Sequence, residues 1–407
     1  MKCIARLTGT VKHYDWGGTR HIPTLLHRSN PSNIPFAEYW LGIHPLSDCR
    51  VEFPGEEPEL LRDFINRNPQ TTLGEKVYRQ FGNLPYLLKT LDVKDMLSIQ
   101  VHPSKAAAEK EFARENAAGI PADAPNRNYR DANHKPELVL ALSGFWLLHG
   151  FKTATGIRET LQRVKELEGL LASFEKEGYA GLYKKVMEMP QGEVNRLLRP
   201  LLDRILPLYH DNKLEKISED FWAARAALTY NRDHSIDRGI FSIYLFNLLH
   251  IQKGEAVFQD AGIPHAYLEG LNVEIMSNSD NVLRGGLTNK HVDVGELLKH
   301  VKFEATPYKI LKGTREPHGE LVYHTSAPDF ELGCFELAAG QQNTFQSSTA
   351  DILLLTEGEV EVSCDDQRLQ LRAGEPAALV LPGAAIILRA IRKSLVFRAT
   401  VPVHTRE

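Results

Sequence analysis

The residues best suited to hold a divalent cation are a few histidines and carboxylates near residues 261–294, a stretch around which the rest of the chain can be read. There Gly262 and Pro264 set a tight, rigid turn that aims His265 from a fixed backbone, as a metal ligand requires. Further along, Arg284 and Lys290 supply two cations beside Gly285-Gly286, where another group can approach the backbone. A metal ligand and an anion clamp on one segment point to a polar, phosphorylated substrate. A lone histidine after a proline is ordinarily a hydrogen-bonded turn residue, so this reading depends on ligands elsewhere in the chain.

Two further segments supply them. In Leu97-Ser98-Ile99-Gln100-Val101-His102, an extended backbone places Ser98, Gln100 and His102 on one face and the aliphatic residues on the other. An edge strand with its polar face in water accounts for that pattern equally well. In His134-Lys135-Pro136-Glu137, Pro136 keeps Lys135 extended, so Lys135 and Glu137 share a face at the start of an apolar strand. Gln100, His102, Glu137 and His265 together make an acceptable four-ligand set, best suited to zinc, with manganese, iron or nickel also compatible. One carboxylate among neutral ligands leaves such a site near +1, a good Lewis acid for substrate oxygens.

The elements that must position these residues are mostly short strands. Residues 1–150 alternate apolar segments with Gly, Pro and Asn, which predicts antiparallel strands with a few helices. Residues 84–91 read as a buried strand and 105–117 as a surface helix. From about 153 to 229 the apolar spacing turns helical, and strand character returns over 241–250, so the helices look like an excursion from a β domain. After about residue 301, strands at 330–335, 352–355, 359–362 and 377–382 with turns at Gly358 and Gly374 predict a second small β-sandwich or jelly roll, without a metal cluster. The aromatic pieces around Tyr14-Asp15-Trp16 and Tyr39-Trp40, and His44, Glu269 and Asn272, read as structural.

Composition narrows the function classes. With 407 residues the chain is long for one core. Its 43% hydrophobic and 25% charged residues are those of an ordinary soluble protein. A net charge of −4 provides no global field for nucleic acid or an anionic membrane, so any anion site must be local. No apolar leader and no membrane-length run is evident, so the expected location is cytoplasmic. Cys3, Cys49, Cys334 and Cys364 are scattered without CxxC spacing, signalling neither a disulfide framework nor a thiolate zinc site.

The motifs around residues 98–103, 134–137, 262–267 and 279–290, together with Tyr14-Asp15-Trp16-Gly17, resemble those of the type I mannose-6-phosphate isomerases. The resemblance covers most of the β-rich chain and is diffuse over the helical insert and the C-terminal part. Asn289, where proline is frequent, and Tyr39, where leucine is usual, depart from the pattern without touching a ligand. The resemblance implies a mainly β, cupin-type fold with an α-helical insert. Its metal-bearing jelly roll would comprise 1–152 and 236–310, its helical insert 153–235, and a degenerate jelly roll 311–407. It puts one zinc ion per chain on Gln100, His102, Glu137 and His265, and the active-site arginine on Arg284.

The implied activity is interconversion of mannose 6-phosphate and fructose 6-phosphate by proton transfer between C1 and C2. Lys290 and Ser98 are the residues expected at the phosphate. Asp280 and Tyr267 are expected at the substrate as orienting groups. The base is open among Lys135, Glu274 and a metal-bound water. The other readings are a sugar-phosphate-binding cupin without turnover, an isomerase of another aldose, and a metal-dependent oxygenase, which has no use for a phosphate clamp. A monomer acting on a small sugar phosphate, with no nucleic-acid or membrane partner, is expected.

Overall fold

The strand His265–Ser277 is the longest in the molecule and passes between two sets of partners. Its first residues pair antiparallel with Phe145–Phe151 and meet Gln100, whereas its second half pairs with Tyr86–Val93 on one side and Glu137–Ala141 on the other. The change of partners falls at Gly270, whose φ of 130° leaves no room for a side chain: a Cβ there would lie 2.7 Å from the Gly144 carbonyl oxygen. Just before it, the pairing with Phe145–Phe151 skips Leu268, and this extra residue reverses the alternation so that His265 and Glu274, from opposite halves of one strand, reach a common interior. The computed structural model describes residues 2–402, apart from the side chain of Asp48.

Three antiparallel sheets result. The eleven-stranded sheet carries the segments just named. A nine-stranded sheet combines C-terminal strands with the start of the chain, because Ile4–Thr8 lies between Ala377–Val380 and Arg50–Glu52, with Ile4 opposite Val380. A four-stranded sheet of Gln342–Gln346, Ala385–Ala390, Val360–Cys364 and Gln367–Leu371 encloses with it an apolar core that includes Phe335, Leu353, Val360 and Val396. Alternation of buried and exposed residues along Ala385–Ala390 is the period-two signature of a sheet wetted on one side. By contrast, Glu38–His44 is buried at every position, as a strand covered on both faces must be.

The helices between Ala154 and Tyr230 bury Leu198, Trp222 and their neighbours in one apolar core shared with the sheet residues Ile99, Val101, Leu148 and Leu268. Polar anchors fix this layer to the sheet. Lys216 and Arg225 both bind Glu269, Arg225 also reaches Asp95, and Tyr230 donates to the Met96 carbonyl. Trp146 stacks on His250 at 4.2 Å and meets Trp222 at 5.6 Å. Glu269 is thus structural, as its sequence context predicts.

Helix occupies 29% of the chain against 32% strand, so a mainly β description is too narrow and a mixed one is correct. One element departs from the expected period: Gly239–Leu245 is a helix, and the strand starts only at Phe246. All seven helical residues are buried, so no polar face marks a 3.6 period, and the Phe, Ile and Tyr content imitates a strand. The expected strand at 97–102 pairs only over Gln100–Val101. The helix Lys105–Ala117 forms as its propensities predict, with the Ser104 hydroxyl accepting from the Ala107 amide as its N-cap. Among the described residues no helix is long and apolar enough to cross a membrane.

Candidate metal centre

His265 opens its strand directly opposite Gln100, and directly paired residues present their side chains to the same face of a sheet. His102 follows two positions after Gln100 and shares that face. Glu137 begins its own strand, opposite Met276 on one side and Gln259 on the other. These three entry points bring His102, Glu137 and His265 together, each at most 3% exposed.

The spacing of the three side chains suits a shared cation. His102 Nε2 lies 3.4 Å from Glu137 Oε1, and His265 Nε2 lies 3.3 Å from Glu137 Oε2. An ion bound tetrahedrally at zinc's usual ~2.1 Å holds neighbouring ligand atoms about 3.4 Å apart. Each imidazole places Nδ1 against a backbone carbonyl, His102 on Asn281 at 2.8 Å and His265 on Ile263 at 2.9 Å. Both rings therefore turn the Nε2 lone pair inward, and neither buried Nε2 has a hydrogen-bond partner. Two orphaned nitrogens aimed at one carboxylate fit a cation.

The electrostatics agree. Burial drives the His102 imidazole down to about 4, against the pull of Glu137, so the ring is neutral and able to ligate. Burial alone would raise the Glu137 carboxyl; Lys135 and the two histidines overcome it and hold the group well below the usual carboxylate range. Lys135 Nζ sits 2.8 Å from Glu137 Oε1. On the other side, the Tyr267 hydroxyl is 3.5 Å from Glu137 Oε2 and donates to Glu274 Oε2 at 2.8 Å. Burial also raises the Glu274 carboxyl, and Lys89, 3.0 Å from Glu274 and 3.7 Å from Glu38, opposes that rise.

Beside the site, beyond Lys135 and Gln100, lies a cavity of about 630 Å³. Ser98, Gln100, Lys135, Asp280, Arg284 and Lys290 line it, while Tyr267 and Glu274 lie behind Glu137. Burial lowers Arg284, and Arg130 lowers it further; Lys290 is lowered by burial and then by Arg284 and Arg130. Three mutually repelling cations on one wall are what an anion would relieve. Asp280 is held by His44 Nε2 at 3.3 Å, so His44 serves as a support, in line with its structural reading.

Several participants escape a reading of the sequence. Lys89 and Glu38 sit in strands that read as plain core, and a lysine inside an apolar run was the available signal. Asn281 accepts the Arg130 amide and donates to the carbonyls of Asp131 and Asn133, tying that loop to the carbonyl that orients His102. Asp237, from the end of the helical layer, accepts backbone amides of Gly239, Leu287 and Thr288 and so braces the turn before Lys290. Asn272, read as structural, is fully buried with neither amide atom hydrogen-bonded.

Residues 4–154 match the family described as phosphomannose isomerase type I, catalytic domain. The chain is 39% identical to the mannose-6-phosphate isomerase of Salmonella typhimurium over 92% of this chain and 94% of that one, and 38% identical to that of Escherichia coli over the same shares. The structure of the Salmonella typhimurium enzyme bound to its substrate fructose 6-phosphate and zinc superposes with a TM-score of 0.86 at 34% identity, covering 99% of this chain and 100% of the other. These relatives, together with the His–Glu–His group beside a cationic cavity, give the class: an aldose–ketose isomerase with a candidate metal site. Within that class, the chain belongs to the type I phosphomannose isomerase family.

Proposed function

We propose that the protein interconverts mannose 6-phosphate and fructose 6-phosphate at this cavity, with one zinc ion on Gln100, His102, Glu137 and His265. The observation that carries the reading is the placing of two orphaned imidazole nitrogens 3.3 and 3.4 Å from one buried carboxylate beneath a cluster of cations. A bound zinc would polarise the substrate's carbonyl oxygen and acidify the adjacent C–H.

The chain's own residues do the rest. Lys290 and Ser98 bind the phosphate, and Arg284 stabilises negative charge on the reacting oxygens or positions the sugar. Between the two side chains read as candidate bases, Lys135 lines the cavity, whereas Glu274 is covered by Lys89 and Tyr267. Lys135 is therefore assigned proton transfer between C1 and C2. Glu274, through Tyr267, fixes the second oxygen of Glu137. Asp280 orients the substrate from the cavity wall.

This reading treats the site-bearing sheet as a cupin-type jelly roll formed by 1–152 and 236–310, with 153–235 inserted and 311–407 as a degenerate second jelly roll. The chain acts as a cytoplasmic monomer on a small sugar phosphate. Metal-free and zinc-loaded protein incubated with mannose 6-phosphate, mannose and ribose 5-phosphate tests it, with ketose formation followed in each case. Turnover only of mannose 6-phosphate, and only with metal, is expected. Binding of mannose 6-phosphate without exchange of its C2 proton in heavy water would instead establish a non-catalytic binder, and preference for another aldose would move the substrate.

A further inference from the structure

The fold brings together two cysteines from opposite ends of the sequence. Cys3, just before the strand Ile4–Thr8, meets Cys364 at the end of Val360–Cys364 and Asp365 in the turn that follows. One ligand atom from each of the three lies within 4.8 Å of the others. Both cysteines are thiols, at 5% and 2% exposure, while Asp365 is exposed.

We propose that Cys3, Cys364 and Asp365 form a second metal site, separate from the catalytic one, for a thiophilic divalent cation such as zinc or cadmium. Cys3 Sγ lies 3.7 Å from Asp365 Oδ2. A tetrahedral zinc ion with Zn–S of about 2.3 Å and Zn–O of about 2.1 Å sets that sulfur–oxygen edge at about 3.6 Å. Two thiolates and a carboxylate outweigh the ion's charge and leave the site with a net negative charge, with a fourth position left for water. Asp365 is exposed and also lines a cavity of about 730 Å³, so the carboxylate end of the site is open to solvent.

The backbone is held ready for the ion. The Cys3 and Ile4 amides both donate to the Gln367 side chain, the Cys3 carbonyl accepts from Leu381, and Cys364 pairs with Gln367 across the hairpin. Little ordering remains to be done on binding, so the ion's free energy goes into fastening the first strand to the hairpin 360–371. The spacing of the cysteines in the sequence hides this: no short motif links residues 3 and 364.

Cadmium(II) added to the reduced whole protein is the test, read by the ultraviolet thiolate-to-cadmium charge-transfer band. The catalytic ligands contain no sulfur, so occupancy there adds no band and the two sites are read separately. A band saturating at one cadmium per chain is expected, lost in Cys364→Ser. Asp365→Asn, which keeps a residue tolerant of the positive φ of 51° in an exposed turn, weakens binding at least about tenfold. The proposal is overturned by absence of the band at slight excess of cadmium, by an unchanged band in Cys364→Ser or unchanged affinity in Asp365→Asn, or by a Cys3–Cys364 disulfide in the protein as purified.

Discussion

Replacing Lys89 with methionine isolates the charge balance behind the metal centre. Lys89 Nζ lies 3.0 Å from Glu274 Oε1 and 3.7 Å from Glu38 Oε2, with all three side chains at most 9% exposed. At an effective dielectric of about 20 those separations correspond to gross attractions of about 5.5 and about 4.5 kcal/mol, most of which offsets desolvation of the ions. Burial lowers the lysine and the two glutamates more than restore it, so Lys89 is raised overall and stays charged. Methionine keeps the stem's volume and leaves two buried carboxylates without their cation, a loss of about 3–5 kcal/mol near pH 8. The sign with pH then follows. Burial already raises the Glu274 carboxyl and the variant removes the cation that opposes the rise, so its penalty is absent below about pH 4.5 and grows as pH rises through the folded value. Urea unfolding of metal-free wild type and Lys89→Met at pH 8 and pH 5 measures the difference, which should shrink by more than half at the lower pH. A deficit below 1 kcal/mol at pH 8, or one that is equal at both pH values, would refute the reasoning.

Burial holds the His149 imidazole near 4, with the Gln259 side chain opposing, and holds His102 at about the same value. Depressed values mean that stability is complete above about pH 6.5 and is lost as pH falls toward 4, by on the order of 3 kcal/mol per group. Denaturant titration of the metal-free protein should show that loss, and His149→Gln should remove about half of it. Asp237→Ala frees three backbone amides around the turn at Leu287, so KM for mannose 6-phosphate should rise about tenfold or more with zinc content unchanged, as steady-state kinetics and metal analysis will show. Arg284→Met should retain the metal and lose turnover by at least about a hundredfold, whereas His265→Ala loses both. Equilibrium dialysis beside an activity assay separates the two.

The residues proposed as metal ligands were legible because each sits in a short local pattern. Pro264 and Gly262 flag His265, alternation joins Gln100 to His102, and Pro136 sets the face of Glu137. What brings them together lies outside such patterns: the register shift at Leu268 is set by pairing with Phe145–Phe151, a contact between distant segments. Lys89 and Glu38 were illegible for a related reason. Each is a single charge in an apolar strand, and only the pairing of Trp40 with Lys89 and of Glu274 with Lys89 shows them converging. The helix Gly239–Leu245 hid because burial on all sides erases periodicity. The insertion of Ile4–Thr8 among C-terminal strands, like the meeting of Cys3 with Cys364, is a long-range pairing with no local signature.

Anomalous diffraction from zinc-loaded crystals, recorded on either side of the zinc edge, tests the central claim most directly. The account predicts a peak about 2.0–2.2 Å from the Nε2 atoms of His102 and His265 and from a Glu137 oxygen, with chelation removing both that peak and turnover. A map without a peak between those three side chains, from crystals of protein that still isomerises mannose 6-phosphate, would contradict it.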